Sequence, residues 1–164
     1  MRIKNISVKE IPDSRGEPTI EVNLTGENGD TASAQIPSGK SRGRNEAAAL
    51  KPREAKDTLE RIIRPNITGR NFETIGELDS SLITLDGTSR KEILGGNLIL
   101  GISLAFTRLA AQARKKELWQ ILNEEFFDGE VGENKPLIFS NLINGGAHAK
   151  NNLDIQEFMV VARP

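Results

Sequence analysis

The chain has 164 residues, 37% of them hydrophobic and 27% charged, a composition that supports a folded core and excludes a disordered or membrane-embedded chain. The net charge of −1 gives no bulk electrostatic case for binding nucleic acid or an anionic membrane. Cysteine is absent, which excludes disulfides and thiolate metal centres. The N-terminus is patterned as a strand and not as an apolar leader, so the reading places the protein in the cytoplasm.

Residues 3–11 read as a strand, with Ile6 and Val8 alternating against Ser7 and Lys9. A breaker-rich turn, Pro12 to Pro18, leads into a second strand over 19–25, with Ile20, Val22 and Leu24 on one face. Asn28-Gly29 predicts a type I′ turn, and residues 30–36 return with Ala32, Ala34 and Ile36 inward. The expectation is a three-stranded antiparallel meander with one buried face.

Pro37 to Arg44 holds two glycines, two serines and three cations. Its Gly39-Lys40-Ser41 invites a phosphate-binding P-loop, but that motif needs glycine at position 34, which is Ala. Two readings stay open: a solvated connection, or a loop that closes over an anionic ligand with its backbone N–H groups and the Ser41 hydroxyl.

Helices follow. Ala55, Leu59, Ile62 and Ile63 are at helical spacing, and Pro65 is expected to stop that helix. A second helix is expected over 73–85, closed by Gly87 as a C-terminal cap. A long third helix is expected over 89–116, with Ser89 and Glu92 as a capping box and an apolar middle from Leu98 to Ala105. It is broken by Gly101, Ser103, Thr107 and Arg108, so it is a buried helix and not a membrane span. A fourth covers 117–126. Asp128 to Lys135 reads as a linker, after which strands at 136–144 and 153–161 form a hairpin with a long tip. That tip contains the only histidine, His148. Glu157 sits on a strand that otherwise reads as core, where a carboxylate is costly without partners.

Six stretches, in order, resemble the enolase (phosphopyruvate hydratase) family. They are Asp13 to Thr19, Pro37 to Ser41 with Glu46-Ala47, Leu85 to Thr88, Leu94 to Ala105, Asn144 to Ala149, and Asp154 to Met159. The resemblance implies an α+β fold: a three-stranded antiparallel meander followed by a helical bundle, then a C-terminal β-hairpin that would begin an eightfold barrel. The expected domains are 1–130 for the enolase N-terminal-like part and 131–164 for the linker and first two barrel strands.

The resemblance also implies a chemistry, the reversible dehydration of 2-phosphoglycerate to phosphoenolpyruvate in glycolysis. Two Mg²⁺ ions stabilise an ene-diolate that a lysine base generates, a strategy for which the enolase superfamily is a standard example. By resemblance, Glu157 and His148 are catalytic, and Gln156, His148, Glu157, Gly39 and Lys40 bind substrate. Ser41 is the metal residue. Taken without the resemblance, His148 fits an exposed loop position and Glu157 an edge residue that discourages strand pairing. Ser14 and Arg15 could simply form a turn with a structural salt bridge.

The base lysine and most metal ligands belong, by resemblance, to a barrel that the chain does not carry past Pro164. The chain alone is therefore expected to be inactive, and a barrel-bearing second chain and a homodimer are the expected partners, with no nucleic acid and no membrane span. The alternative is a non-catalytic enolase-like binding module or a gene fragment. Three departures from the family mark a divergent member: Lys40 for Ala and Arg42 for Thr in the loop, Gly96 for Ala, and a shortened segment before Lys51-Pro52-Arg53.

Overall fold

The computed structural model describes residues 1–39, 43–129, 136–146 and 149–163. It divides into two compact units, Met1–Gly129 and Glu130–Pro164.

In the first unit, β1 (Ile3–Pro12), β2 (Pro18–Gly26) and β3 (Thr31–Ile36) form an antiparallel meander in the order β1-β2-β3. Both hairpins use the same three-residue turn. Asp13 donates its N–H to the Glu17 carbonyl at 2.8 Å, and Gly26 donates to Asp30 at 2.9 Å. The third loop residue is a glycine each time, Gly16 at φ +80° and Gly29 at φ +91°. The type I′ expectation at Asn28-Gly29 is therefore corrected. A type I′ turn needs positive φ at both central residues, and Asn28 is not among the positive-φ residues.

The strands carry the predicted alternation, with Ile6, Ile20, Val22, Leu24 and Ile36 buried. A register shift between Ile3 and Asn5 lets Ile3 and Ile6 face the core together, although they are an odd number of residues apart. The edge of β1 is covered: Ile3 exchanges hydrogen bonds with Arg70 and Gly69, and the Arg64 guanidinium donates to the Ile6 carbonyl at 2.7 Å.

The first helical segment is α1 (Pro52–Thr58), a π turn over Leu59–Ile63, and α2 (Arg64–Ile67). Pro65 does not stop it. The π turn already departs from i→i−4 bonding, so the N–H that Pro65 lacks is not missed there. The π turn also keeps the stripe straight. Ala55, Leu59, Ile63 and Ile67 recur every four residues and are all buried. In a pure α-helix, that spacing would drift by about 40° per step.

Helix α3 (Ile75–Asp86) starts at Thr74, whose hydroxyl accepts from the Glu77 N–H, and stops at Gly87 at φ +67°, as expected. Helix α4 runs Gly96–Arg114, not from Ser89. The buried Asp86 carboxylate accepts the N–H groups of Ile93 at 3.2 Å and Leu94 at 2.7 Å. A helix starting at Ser89 would need those same N–H groups for its own carbonyls. Lys91 at φ +56° and Gly95 at φ +79° break the path further. Gly96 is thus at the helix start and carries no mid-helix penalty.

Helix α4 lies across β2 and β3. A Cβ on Gly101 would stand 2.4 Å from Val22 Cγ2, so only glycine permits this approach. Leu98, Ile102, Ala105 and Leu109 fill the interface. Helix α5 (Leu118–Phe126) buries Ile121 and sends the Glu125 carboxylate to the Ile75 N–H at 2.6 Å.

The second unit is a hairpin, β4 (Ile138–Asn144) paired antiparallel with β5 (Glu157–Ala162). β5 begins at Glu157 and not at 153. The Leu153 and Gln156 carbonyls are taken by the Gly146 and Gly145 N–H groups, which draw residues 145–146 and 153–156 together at the tip. Both faces of both strands are exposed and mostly apolar, including Phe139, Ile143, Phe158 and Val160. Strands that are apolar on both faces are those of a sheet covered on both sides.

Candidate functional site

The loop between β3 and α1 is held at both ends by stretches that resemble family motifs. At its start, the Thr19 hydroxyl donates to the Ile36 carbonyl at 2.5 Å. Two residues on, Ser38 meets the 13–17 turn. Its hydroxyl donates to Asp13 Oδ2 at 2.5 Å, and Arg15 Nη2 donates to the Ser38 carbonyl at 2.9 Å and to its Oγ at 3.0 Å. Asp13 also accepts the N–H groups of Arg15 at 2.8 Å and Glu17 at 2.9 Å. Its carboxylate accepts from four donors, and the Ser38 hydroxyl and the Arg15 N–H lead in holding its pKa down to about 2. Asp13 and Arg15 do form a salt bridge, at 2.9 Å, but its reach extends to the loop.

At the far end, α4 supplies the anchor. Asn97 Oδ1 accepts the Leu50 N–H at 3.0 Å, and its Nδ2 donates to the Leu50 carbonyl at 2.9 Å. The Gly96 N–H donates to the Ala48 carbonyl at 2.6 Å, and the Ala48 N–H donates to Arg90 at 2.7 Å. Side chains at 95 or 96 would prevent this: a Cβ at Gly95 would be 2.6 Å from Leu50 Cγ, and one at Gly96 would be 2.7 Å from Ala47 Cβ. Between the anchors, Glu46 folds back to accept the Gly43 N–H at 2.9 Å.

A cleft of about 380 Å³ opens between these anchors, bordered by Ser38, Gly39, Glu46, Lys51, Arg53 and Asn97. A more voluminous groove, about 920 Å³, runs along α3 past Arg70, Glu77 and Ser81 and shares no residue with the loop. Its lining converges on no reactive group, so the cleft is the better candidate.

In the second unit, the tip is tight. A Cβ on Gly145 would stand 2.2 Å from the Ile155 carbonyl oxygen, and Gly146 is at φ +56°. Asn151 Nδ2 donates to the Asn144 carbonyl at 2.8 Å and ties the tip to the end of β4. Gln156 and Glu157 follow, adjacent and exposed at the tip end of β5, with Glu157 opposite Asn144.

Of the predicted site residues, Gly39 borders the cleft, and Gln156 and Glu157 stand together at the tip. Lys40, Ser41 and His148 lie outside the described residues. Magnesium takes hard oxygen ligands, and Glu157 and Gln156 are of the right kind. Among the described residues, however, no cluster of three or more His, Asp or Glu side chains could hold a metal ion. The described donors do not by themselves fit a two-magnesium centre. Sequence reasoning missed Asp13, Ser38 and Asn97 as anchors; the only signal was a polar side chain inside a glycine-flanked motif.

Comparison with known proteins bears on the whole chain. The family model "Enolase, N-terminal domain" matches residues 3–122, and "Enolase, C-terminal TIM barrel domain" matches residues 133–163. An enolase of Ureaplasma parvum is 41% identical over 173 residues, covering 98% of this chain and 39% of the relative. Enolase 1 of Chlorobaculum tepidum is 40% identical over 171 residues, and an enolase of Methanopyrus kandleri is 41% identical over 170, each with the same coverage. The chain thus spans about two-fifths of the length of the curated relatives it matches. With its N-terminal portion matched almost throughout, the chain belongs to the enolase family.

Proposed function

We propose that this chain supplies the cap domain and the first barrel strands of an enolase-type lyase that interconverts 2-phosphoglycerate and phosphoenolpyruvate. The observation that carries the reading is the consecutive match of both enolase domains along one chain, at about 40% identity to proteins named enolase. The reaction belongs to glycolysis, which sets the working compartment as the cytoplasm.

In the forward direction, a proton leaves the carbon beside the carboxylate and a hydroxyl leaves the next carbon, so that one water is lost. Glu157 is assigned to the departing hydroxyl, with Gln156 as its polar neighbour. His148, Gly39 and Lys40 would bind the anionic substrate, and Ser41 would supply an oxygen ligand to a bound metal. Bound Mg²⁺ would stabilise the negative charge that builds on the substrate carboxylate. The base lysine, a second glutamate and the remaining metal ligands are assigned to the other three-fifths of an enolase-length protein, carried on the same chain or a partner chain. A homodimer of the completed protein fits the same reading.

The test is a turnover assay. The 164-residue polypeptide with Mg²⁺ and 2-phosphoglycerate should form no phosphoenolpyruvate. Adding a purified enolase barrel that lacks this portion should restore Mg²⁺-dependent turnover. Turnover by the polypeptide alone would sink the assignment of the base to the remainder of an enolase-length protein, and failure to complement would favour a non-catalytic module.

A further inference from the structure

We propose that Asp13 is a positioning residue: with Arg15 it fixes Ser38, and so sets the course of the chain through Gly39 at the rim of the cleft.

Three observations support it. Asp13 is the hub of the 13–17 turn, accepting two backbone N–H groups that hold its own carboxylate still. The same carboxylate takes the Ser38 hydroxyl, while Arg15 Nη2 bridges Asp13 Oδ2, the Ser38 carbonyl and Ser38 Oγ. The Asp13 side chain is 8% exposed, whereas Ser38 leads directly into exposed Gly39 at the cleft rim. A turn of the meander therefore holds Ser38, at the start of a loop more than twenty residues later in sequence. Charge-assisted hydrogen bonds of this kind are the strong ones and hold geometry. Because Asp13 stays ionised far into acid, the contact should be insensitive to pH between 7 and about 4.

The consequence for catalysis rests on the enolase reading; the positioning itself can be tested without turnover. The measurement is ¹⁵N relaxation on the 164-residue chain, comparing wild type, Asp13→Asn, Ser38→Ala and Ser38→Thr. Wild type and Ser38→Thr, which keeps the hydroxyl, should show order parameters near about 0.85 at Ser38 and Gly39, the same at pH 7 and pH 4. Asp13→Asn and Ser38→Ala should fall below about 0.6 at those residues, with Val22, Leu24 and Ile102 unchanged. Unchanged order at 38 and 39 in both variants would overturn the proposal. So would a loss shared equally by the core, or a Ser38→Thr chain as loose as Ser38→Ala. Should Asp13→Asn fail to fold, the Ser38 pair decides alone. Failed complementation with a barrel would sink the enolase reading and leave this result standing.

Discussion

The Asn97 side chain satisfies both backbone groups of Leu50, accepting its N–H at 3.0 Å and donating to its carbonyl at 2.9 Å. A single amide thus stands in for a strand partner at the end of the loop segment. Alanine at 97 should leave both Leu50 groups without their partner and cost about 1–3 kcal/mol. Denaturant unfolding measures the cost. Hydrogen exchange should show the Leu50 N–H losing protection before the amides of β2 do.

Asp86 does a similar task between α3 and α4. Burial pushes its pKa up, but hydrogen bonds from Thr88, Leu94 and Ile93 outweigh that and hold it below the ordinary value. A depressed folded pKa means that the contribution is present above the ordinary aspartate value near 3.9 and lost as pH falls through the folded one. Asp86→Ala should cost about 1–3 kcal/mol at pH 7 and progressively less in acid. A urea series across pH 7 to 2 checks both statements.

Asp79 has the opposite sign. Burial first, and then the charge of Glu125, raise its pKa despite a hydrogen bond from Ser103. A raised folded pKa means its contribution is fully present below the unfolded value and lost as pH rises through the folded one. Above the unfolded value, burial of this carboxyl therefore costs stability. Asp79→Asn should raise the melting temperature at pH 7, and the gain should vanish below about pH 4. A melting series of both proteins across that range would show it.

Gly101 and Gly145 are also fixed by close approach. Gly101→Ala drives a Cβ into Val22 and should cost about 1–3 kcal/mol as overpacking between α4 and the sheet. Gly145→Ala meets the Ile155 carbonyl, a backbone atom, and should disrupt the tip while leaving the first unit's stability unchanged. Separate NMR signals from the two units would read out each effect.

The meander, α3 with its Gly87 cap, and α5 were legible because their signals are local: alternation, helical spacing and a glycine at positive φ. The start of α4 was not, because Asp86 redirects the N–H groups of Ile93 and Leu94 that the Ser89-x-x-Glu92 pattern assumed free. The survival of the helix past Pro65 was hidden for a related reason, since the four-residue recurrence of Ala55, Leu59, Ile63 and Ile67 reads equally as an ordinary α-helical stripe until packing selects the π turn. In the candidate site, motif residues could be named, but their pairings could not. Asp13 with Ser38 and Asn97 with Leu50 are each brought together only by the fold.

The most direct test of the central claim is Glu157→Gln in this chain, assayed for Mg²⁺-dependent phosphoenolpyruvate formation after complementation with an enolase barrel. The account predicts that kcat falls about 100- to 10,000-fold, the range for losing a positioned acid–base group, while the variant still co-elutes with the barrel. Turnover equal to that of the unmodified chain would contradict it.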